Sequence, residues 1–183
     1  PIFLYAPTWR DDRRIAAWRF AFDSPLDIDA VSAALAPDQV LLVKAHHLVS
    51  QGPRADALPS NIVDVSHVED ATDLCALADV LVTDYSSIFF DFAVTGRPIL
   101  FYCYDLEHYT RRVRGFYLDP EAGLPGPMAR TTGELIALIA DLPGVQARYA
   151  QPYAAFRDRY CPRADGASAR RVVDDFFGRV VHD

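Results

Sequence analysis

"ADVLVTDYSSIFFDFAVTGRPILFY", residues 78–102, decides the fold. Two short apolar runs, 80–83 and 99–103, flank an apolar segment at 88–94 that Gly96 and Pro98 bring to an end. That order predicts strand, helix, strand. Strands that are apolar throughout, without alternation, belong to a parallel sheet covered on both faces. Between the first strand and the helix stands Thr83-Asp84-Tyr85-Ser86-Ser87, a polar knot that packing does not require. A ligand with phosphates would explain it. The start of a helix carries unpaired N–H groups that favour anions, and two serine hydroxyls would add donors. One of the two serines can equally be an ordinary N-cap.

The same alternation extends outward from this stretch. Strands are expected at 2–6, 40–45 and 62–65, and a helix at 27–35. Ser66 and Glu69 have the spacing of a capping box before a helix that runs to about residue 78. Thr131 and Glu134 repeat that spacing before a helix at 135–141, and two more helices cover 145–159 and 165–181. The segments 51–60 and 111–128 are rich in Gly and Pro and read as loops. The expected fold is α/β, a doubly wound parallel sheet of Rossmann-like type. Residues 1–183 form a single nucleotide-binding domain in this reading, with 145–183 as a C-terminal helical segment.

Such sheets bind ligands at the carboxyl ends of their strands. The unusual polar residues fall in those loops. Arg10, with Asp11 and Asp12, follows the first strand; His46 and His47 follow Lys44 at the end of the second. Asp84, Ser86 and Ser87 follow the fourth, Tyr104, Asp105 and Glu107 the fifth, and Arg114 lies further on. Histidine titrates near neutrality, so the Lys44–His47 stretch can supply an acid or a phosphate donor, or simply a surface histidine at a strand end. His47 reads as the bystander of the pair. Asp11 and Asp12, followed by Arg13 and Arg14, read as a solvated charge run rather than a metal site. Asp91 lies one turn past Ser87 on the same face, where it would orient that serine, take a ribose hydroxyl or face water.

Composition narrows the class. With 51% of 183 residues apolar, the chain can bury a real core. A net charge of -7 argues against non-specific binding to nucleic acid. Lys44 is the one lysine beside 17 arginines, which reads as compositional bias. Cys75, Cys103 and Cys161 are too few and too scattered for a disulfide framework or a zinc site. No apolar run approaches the ~20 residues of a membrane span, and no signal peptide is apparent. Neither GxGxxG nor GxxxxGK[ST] occurs. A receiver domain needs a lysine after the fifth strand, and here the lysine ends the second. The opening at Pro1, directly in a strand, suggests a piece of a longer chain.

Several pieces, in order, resemble the CDP-glycerol glycerophosphotransferases, the primases and polymerases of teichoic acid. They are "LYAPTWRD" (4–11), "VKAHHLV" (43–49), "DVSHVEDATDL" (64–74), "ADVLVTDYSSIFFDFA" (78–93), "RPILFYCYDLEHY" (97–109), "RGFYLD" (114–119) and "LPGP" (124–127). The resemblance implies a GT-B architecture of two Rossmann-like domains facing across a cleft. This chain would be the C-terminal, donor-binding half, inactive alone, with the acceptor half and its catalytic base upstream. The implied reaction moves glycerol phosphate from CDP-glycerol to a hydroxyl of a lipid-linked polyol-phosphate acceptor and releases CMP, in teichoic acid or capsule polymer synthesis. It implies His46 as the catalytic group at the leaving phosphate, Ser86 and Ser87 as the pyrophosphate pair, and Asp91 as the family acid. It also implies Arg10 and Arg114 as phosphate ligands. His47 departs from the family, which often has an aromatic residue or proline there. No metal and no cofactor is implied. The enzyme would be cytoplasmic, peripheral at the inner face of the cell membrane. Competing readings are the donor domain of a GT-B glycosyltransferase that uses a nucleotide sugar, and a non-catalytic nucleotide-binding module.

Overall fold

The computed structural model describes residues 1–8, 14–16, 19–20, 25–45, 58–113, 115, 118–119 and 123–177. Six strands make one sheet: β1 (Ile2–Tyr5), β4 (Val40–Val43), β5 (Ile62–Asp64), β6 (Val80–Thr83), β7 (Ile99–Tyr102) and β8 (Met128–Ala129). Their spatial order is β5-β4-β1-β6-β7-β8, and every neighbouring pair is parallel. Counting only these six, the order is 3-2-1-4-5-6, that of the Rossmann fold. The expected doubly wound parallel sheet is therefore present. A separate antiparallel pair, β2 (Arg14–Ala16) and β3 (Arg19–Phe20), follows β1.

Successive strand residues point to opposite faces, and both faces are apolar. Phe3, Tyr5, Leu41, Val43, Val80, Val82 and Leu100 pack with Val31 of α1 (Ile28–Ala34) and with Leu135 and Ile139 of α5 (Thr132–Ala140). Leu4, Leu42, Leu81, Ile99 and Phe101 pack with Leu74 of α2 (Ala71–Leu77) and with Phe89 and Phe92 of α3 (Ile88–Ala93). The long helix α6 (Leu142–Tyr160) gives Val145 to the first core and Phe156 to the second. It passes from one face to the other beneath the amino end of β7, where the Tyr153 hydroxyl donates to the carbonyl of Arg97. The last helix, α7 (Ser168–Phe177), turns Val172, Val173, Phe176 and Phe177 outward. Among the described residues no helix is long and apolar enough to cross a membrane.

Two local expectations change. Ser66 and Glu69 do not cap α2; the helix begins five residues after Ser66, and Asp70 accepts from Thr72 N–H at its start. The Ser66 hydroxyl is already taken by the N–H of Ala45. The stretch 111–128 is not all loop. A short helix, α4 (Leu106–His108), runs into a π-helical turn, Tyr109–Val113, and the stretch ends in strand β8. Thr131 does cap α5, accepting from Glu134 N–H, while Glu134 reaches back to the N–H of Arg130. Gly96 closes α3 at φ 74, a left-handed conformation that suits glycine.

Strand β8 depends on Gly126. A Cβ built there would lie 1.9 Å from the carbonyl oxygen of Ile99, so only glycine lets the backbone reach the edge of β7. Gly133, in α5, has nothing within 4 Å of its Cβ position. Gly126→Ala should lower the unfolding free energy by about 1–3 kcal/mol through overpacking. Gly133→Ala should raise it by roughly 0.5–1 kcal/mol. Paired urea titrations check both signs.

Candidate functional site

The site lies where the strand order reverses, between the carboxyl ends of β1 and β6. The two ends are tied together by polar contacts across about eighty residues of sequence. Thr83 Oγ1 donates to the carbonyl of Ala6 at 2.7 Å, and Ala6 N–H donates to the carbonyl of Val82. Asp84 is the centre of the tie. Its side chain is 1% exposed. One of its oxygens, Oδ1, accepts N–H groups from Thr8 at 2.8 Å, Tyr85 at 2.6 Å and Ser86 at 3.3 Å. The acid in the polar knot is therefore a backbone clamp. It holds the start of the loop that leads to Arg10 against the turn that carries Ser86 and Ser87.

The clamp also changes what the turn can offer an anion. Two of the N–H groups expected at the helix start already serve Asp84. Helix α3 has only six residues, so its dipole is small. What remains is hydroxyl chemistry. Ser87 occupies the cap position of α3 with φ -63 and ψ -10, and its side chain caps nothing. It is exposed, and among the described residues its hydroxyl has no hydrogen-bond partner. Among the described residues the Ser86 hydroxyl makes only a 3.5 Å contact, accepting from the N–H of Ile88. Ordinary helix capping thus leaves the Ser87 hydroxyl unexplained. Asp91 is exposed one turn further on. It makes no hydrogen bond to Ser87; its charge, after burial, helps push the Cys75 thiol of α2 up to about 11.

The neighbouring loops are braced in the same way. Lys44 is not a free phosphate donor: its ammonium donates to the carbonyls of Ser66 at 3.2 Å and Val68 at 2.5 Å. With the Ala45 N–H to Ser66 Oγ bond of 2.9 Å, this laces the end of β4 to the loop after β5. Tyr85 links the turn to the loop after β7. Its ring stacks on Tyr109 at 3.8 Å, and its hydroxyl donates to Asp105 at 3.1 Å. Burial, then the nearby acids, hold the Tyr85 phenol protonated well above its usual range. The residue types of Tyr85 and Asp105 gave no hint of this bridge, because it depends on β6 and β7 being adjacent.

Ser86, Ser87 and Asp91 are thus brought to one turn and the helix it opens. Arg10, His46 and Arg114 lie outside the described residues, as do His47, Asp11 and Asp12. The described chain runs up to His46 through Ala45, which is buried.

The strand order defines a Rossmann-like domain, a class of sheet that binds ligands at the carboxyl ends of its strands. The chain belongs to the CDP-glycerol:poly(glycerophosphate) glycerophosphotransferase family, whose profile matches residues 1–178. It is 39% identical over 176 residues to a teichoic acid glycerol-phosphate transferase of Staphylococcus aureus, covering 96% of this chain and 45% of that protein. The solved wall teichoic acid polymerase TagF superposes with a TM-score of 0.83 at 32% identity, over 98% of this chain and 43% of that one. A TagF variant soaked with CDPG superposes at 0.81 and 33% identity, over 98% of this chain and 43% of its own. The chain spans less than half the length of these relatives.

Removing the Asp84 carboxylate strands three N–H groups, one buried and two half-buried, and a buried group left unpaired costs ~1–3 kcal/mol. Asp84→Ala should therefore lower the unfolding free energy by about 3 kcal/mol. Asp84→Asn, which keeps an acceptor oxygen, should lose less than half of that. Urea denaturation of the two variants gives the comparison.

Proposed function

We propose that this chain is the donor-binding part of a glycerophosphotransferase that uses CDP-glycerol. The observation that carries the proposal is the exposed Ser87 hydroxyl, unpartnered among the described residues, on a clamped turn at the switch point of the sheet. In this reading the pyrophosphate of CDP-glycerol lies over Ser86 and Ser87. Arg10 and Arg114 add charge-assisted bonds to its oxygens, and Asp91 acts from the helix that follows. An acceptor hydroxyl attacks the glycerol-bearing phosphorus. The bond from that phosphorus to the bridging oxygen breaks, and the electron pair leaves with CMP. His46 protonates or bridges the departing phosphate. The hydroxyl proton goes to a base in the acceptor-binding domain of a GT-B architecture, which the longer polypeptide supplies. The acceptor is a lipid-linked polyol phosphate, so the enzyme works at the inner face of the cell membrane, bound peripherally.

A hydrogen bond to a charged partner contributes ~1.5–3 kcal/mol, and ~1.4 kcal/mol is a decade in affinity. Ser87→Ala should weaken CDP about ten- to a hundredfold and leave cytidine, which has no phosphate, almost unchanged. Calorimetry with both ligands is the test, and UDP-glucose should not compete. Equal binding of CDP by wild type and variant removes the phosphate from this turn. In the full-length enzyme, His46→Ala should lower kcat by ~10²–10⁴ with a smaller effect on donor binding. His47→Ala should be mild. Rapid-quench turnover beside donor titration separates the two histidines.

A further inference from the structure

A cleft lined by arginines lies one step along the same edge of the sheet. The carboxyl ends of β6, β7 and β8 stand side by side, with Thr83 opposite Phe101 and Tyr102 opposite Ala129. At ~4.8 Å per strand, the end of β8 is roughly 10 Å from the end of β6. Over β7 and β8 opens a cleft of about 830 Å³, walled by Tyr104, Asp105, His108, Arg111, Arg112 and Arg130.

The charges in this cleft are not balanced. Asp105 is engaged by the Tyr85 hydroxyl. Glu107 is engaged by Arg111 at 2.7 Å, although both are about three-quarters exposed, so that pair is weak. Among the described residues, the guanidiniums of Arg112 and Arg130 have no carboxylate partner. They come from different elements, the π-helical turn and the loop after β8, yet line one concavity. Asp105 and Glu107 keep their charges, yet with Arg111, Arg112 and Arg130 in the same lining the cleft is net positive in a chain of net charge -7. The cleft is linked to the Ser86–Ser87 turn through Asp105, which accepts from the Tyr85 hydroxyl.

We infer that this cleft binds a phosphodiester of the polyol-phosphate chain, the acceptor or product, beside the donor. The inference rests on the donor reading of the Ser86–Ser87 turn. Guanidinium groups match phosphate oxygens with two parallel N–H bonds, and need no base or sugar. A polymer whose every repeat carries a phosphate can place one repeat in the cleft while its terminal hydroxyl reaches the donor. A membrane surface carries the same phosphodiester chemistry, but it is flat and cannot enter a concave cleft walled by α4 and the loop after β8.

The test titrates three probes against wild type and the Arg112→Gln/Arg130→Gln double variant. The probes are a short synthetic glycerol-phosphate oligomer, CDP, and phosphatidylglycerol vesicles. The oligomer should bind the double variant about tenfold or more weakly, with a shallower dependence on salt because fewer counterions are displaced. CDP affinity should be unchanged. Oligomer binding that is unaffected by the double substitution, or absent from wild type, overturns the inference. A parallel loss of CDP and oligomer assigns the arginines to the donor site and also overturns it, as does a loss confined to vesicles. Oligomer binding through these arginines by a protein that does not bind CDP would remove the donor reading and leave the cleft site standing.

Discussion

One carboxylate oxygen sets the geometry of the ligand edge. Asp84 Oδ1 gathers three N–H groups from two loops that are 76 residues apart in sequence. A buried carboxylate is costly unless it is well paired, and this one is paired to backbone, which cannot swing away as a side chain can. The clamp thus converts the adjacency of β1 and β6 into a fixed turn. Ser86 and Ser87 inherit their positions from it. Asp84 is thus structural, and the Ser87 hydroxyl beside it is not used in capping α3.

The same logic recurs along the edge. Lys44 uses its ammonium on two carbonyls, Ser66 uses its hydroxyl on Ala45, and Tyr85 uses its hydroxyl on Asp105. Each bond crosses from one strand end to the next. Ser87, Arg112 and Arg130, whose side chains have no such bond among the described residues, are therefore conspicuous. A braced edge with a few unengaged donors is preorganised for a ligand of fixed charge, since little must reorder when it binds. In a chain with 17 arginines, the one lysine is found where a compact ammonium meets two carbonyl oxygens.

The sheet was legible from sequence because its strands are short, apolar on both faces and bounded by Gly, Pro and polar turns. β6, α3 and β7 fall within a residue of their expected bounds. Two features were not legible, for a common reason. The capping-box spacing of Ser66 and Glu69 points to a helix start, but the Ser66 hydroxyl is claimed by Ala45 from another strand. β8 has only two residues in a run of Gly and Pro, and exists because Gly126 admits the carbonyl of Ile99. Spacing rules see neighbours in sequence and miss claims made across the fold. Of the candidate site, the position of the serine pair at the start of α3 could be read directly. The role of Asp84 could not, because it depends on Thr8 arriving from β1.

β1 lies in the middle of the sheet, hydrogen-bonded to β4 on one side and β6 on the other. Its apolar residues emerge before those of its partner strands, and its second partner follows some eighty residues later. At ~5–20 residues per second, Asp84 leaves the ribosome roughly 4–15 s after Thr8. For that interval the Phe3-Leu4-Tyr5 strand has apolar faces to hide and one unpaired edge. The fold therefore carries a window of aggregation risk during translation. Its soluble yield should depend on elongation rate and chaperone supply as much as on the stability of the finished domain.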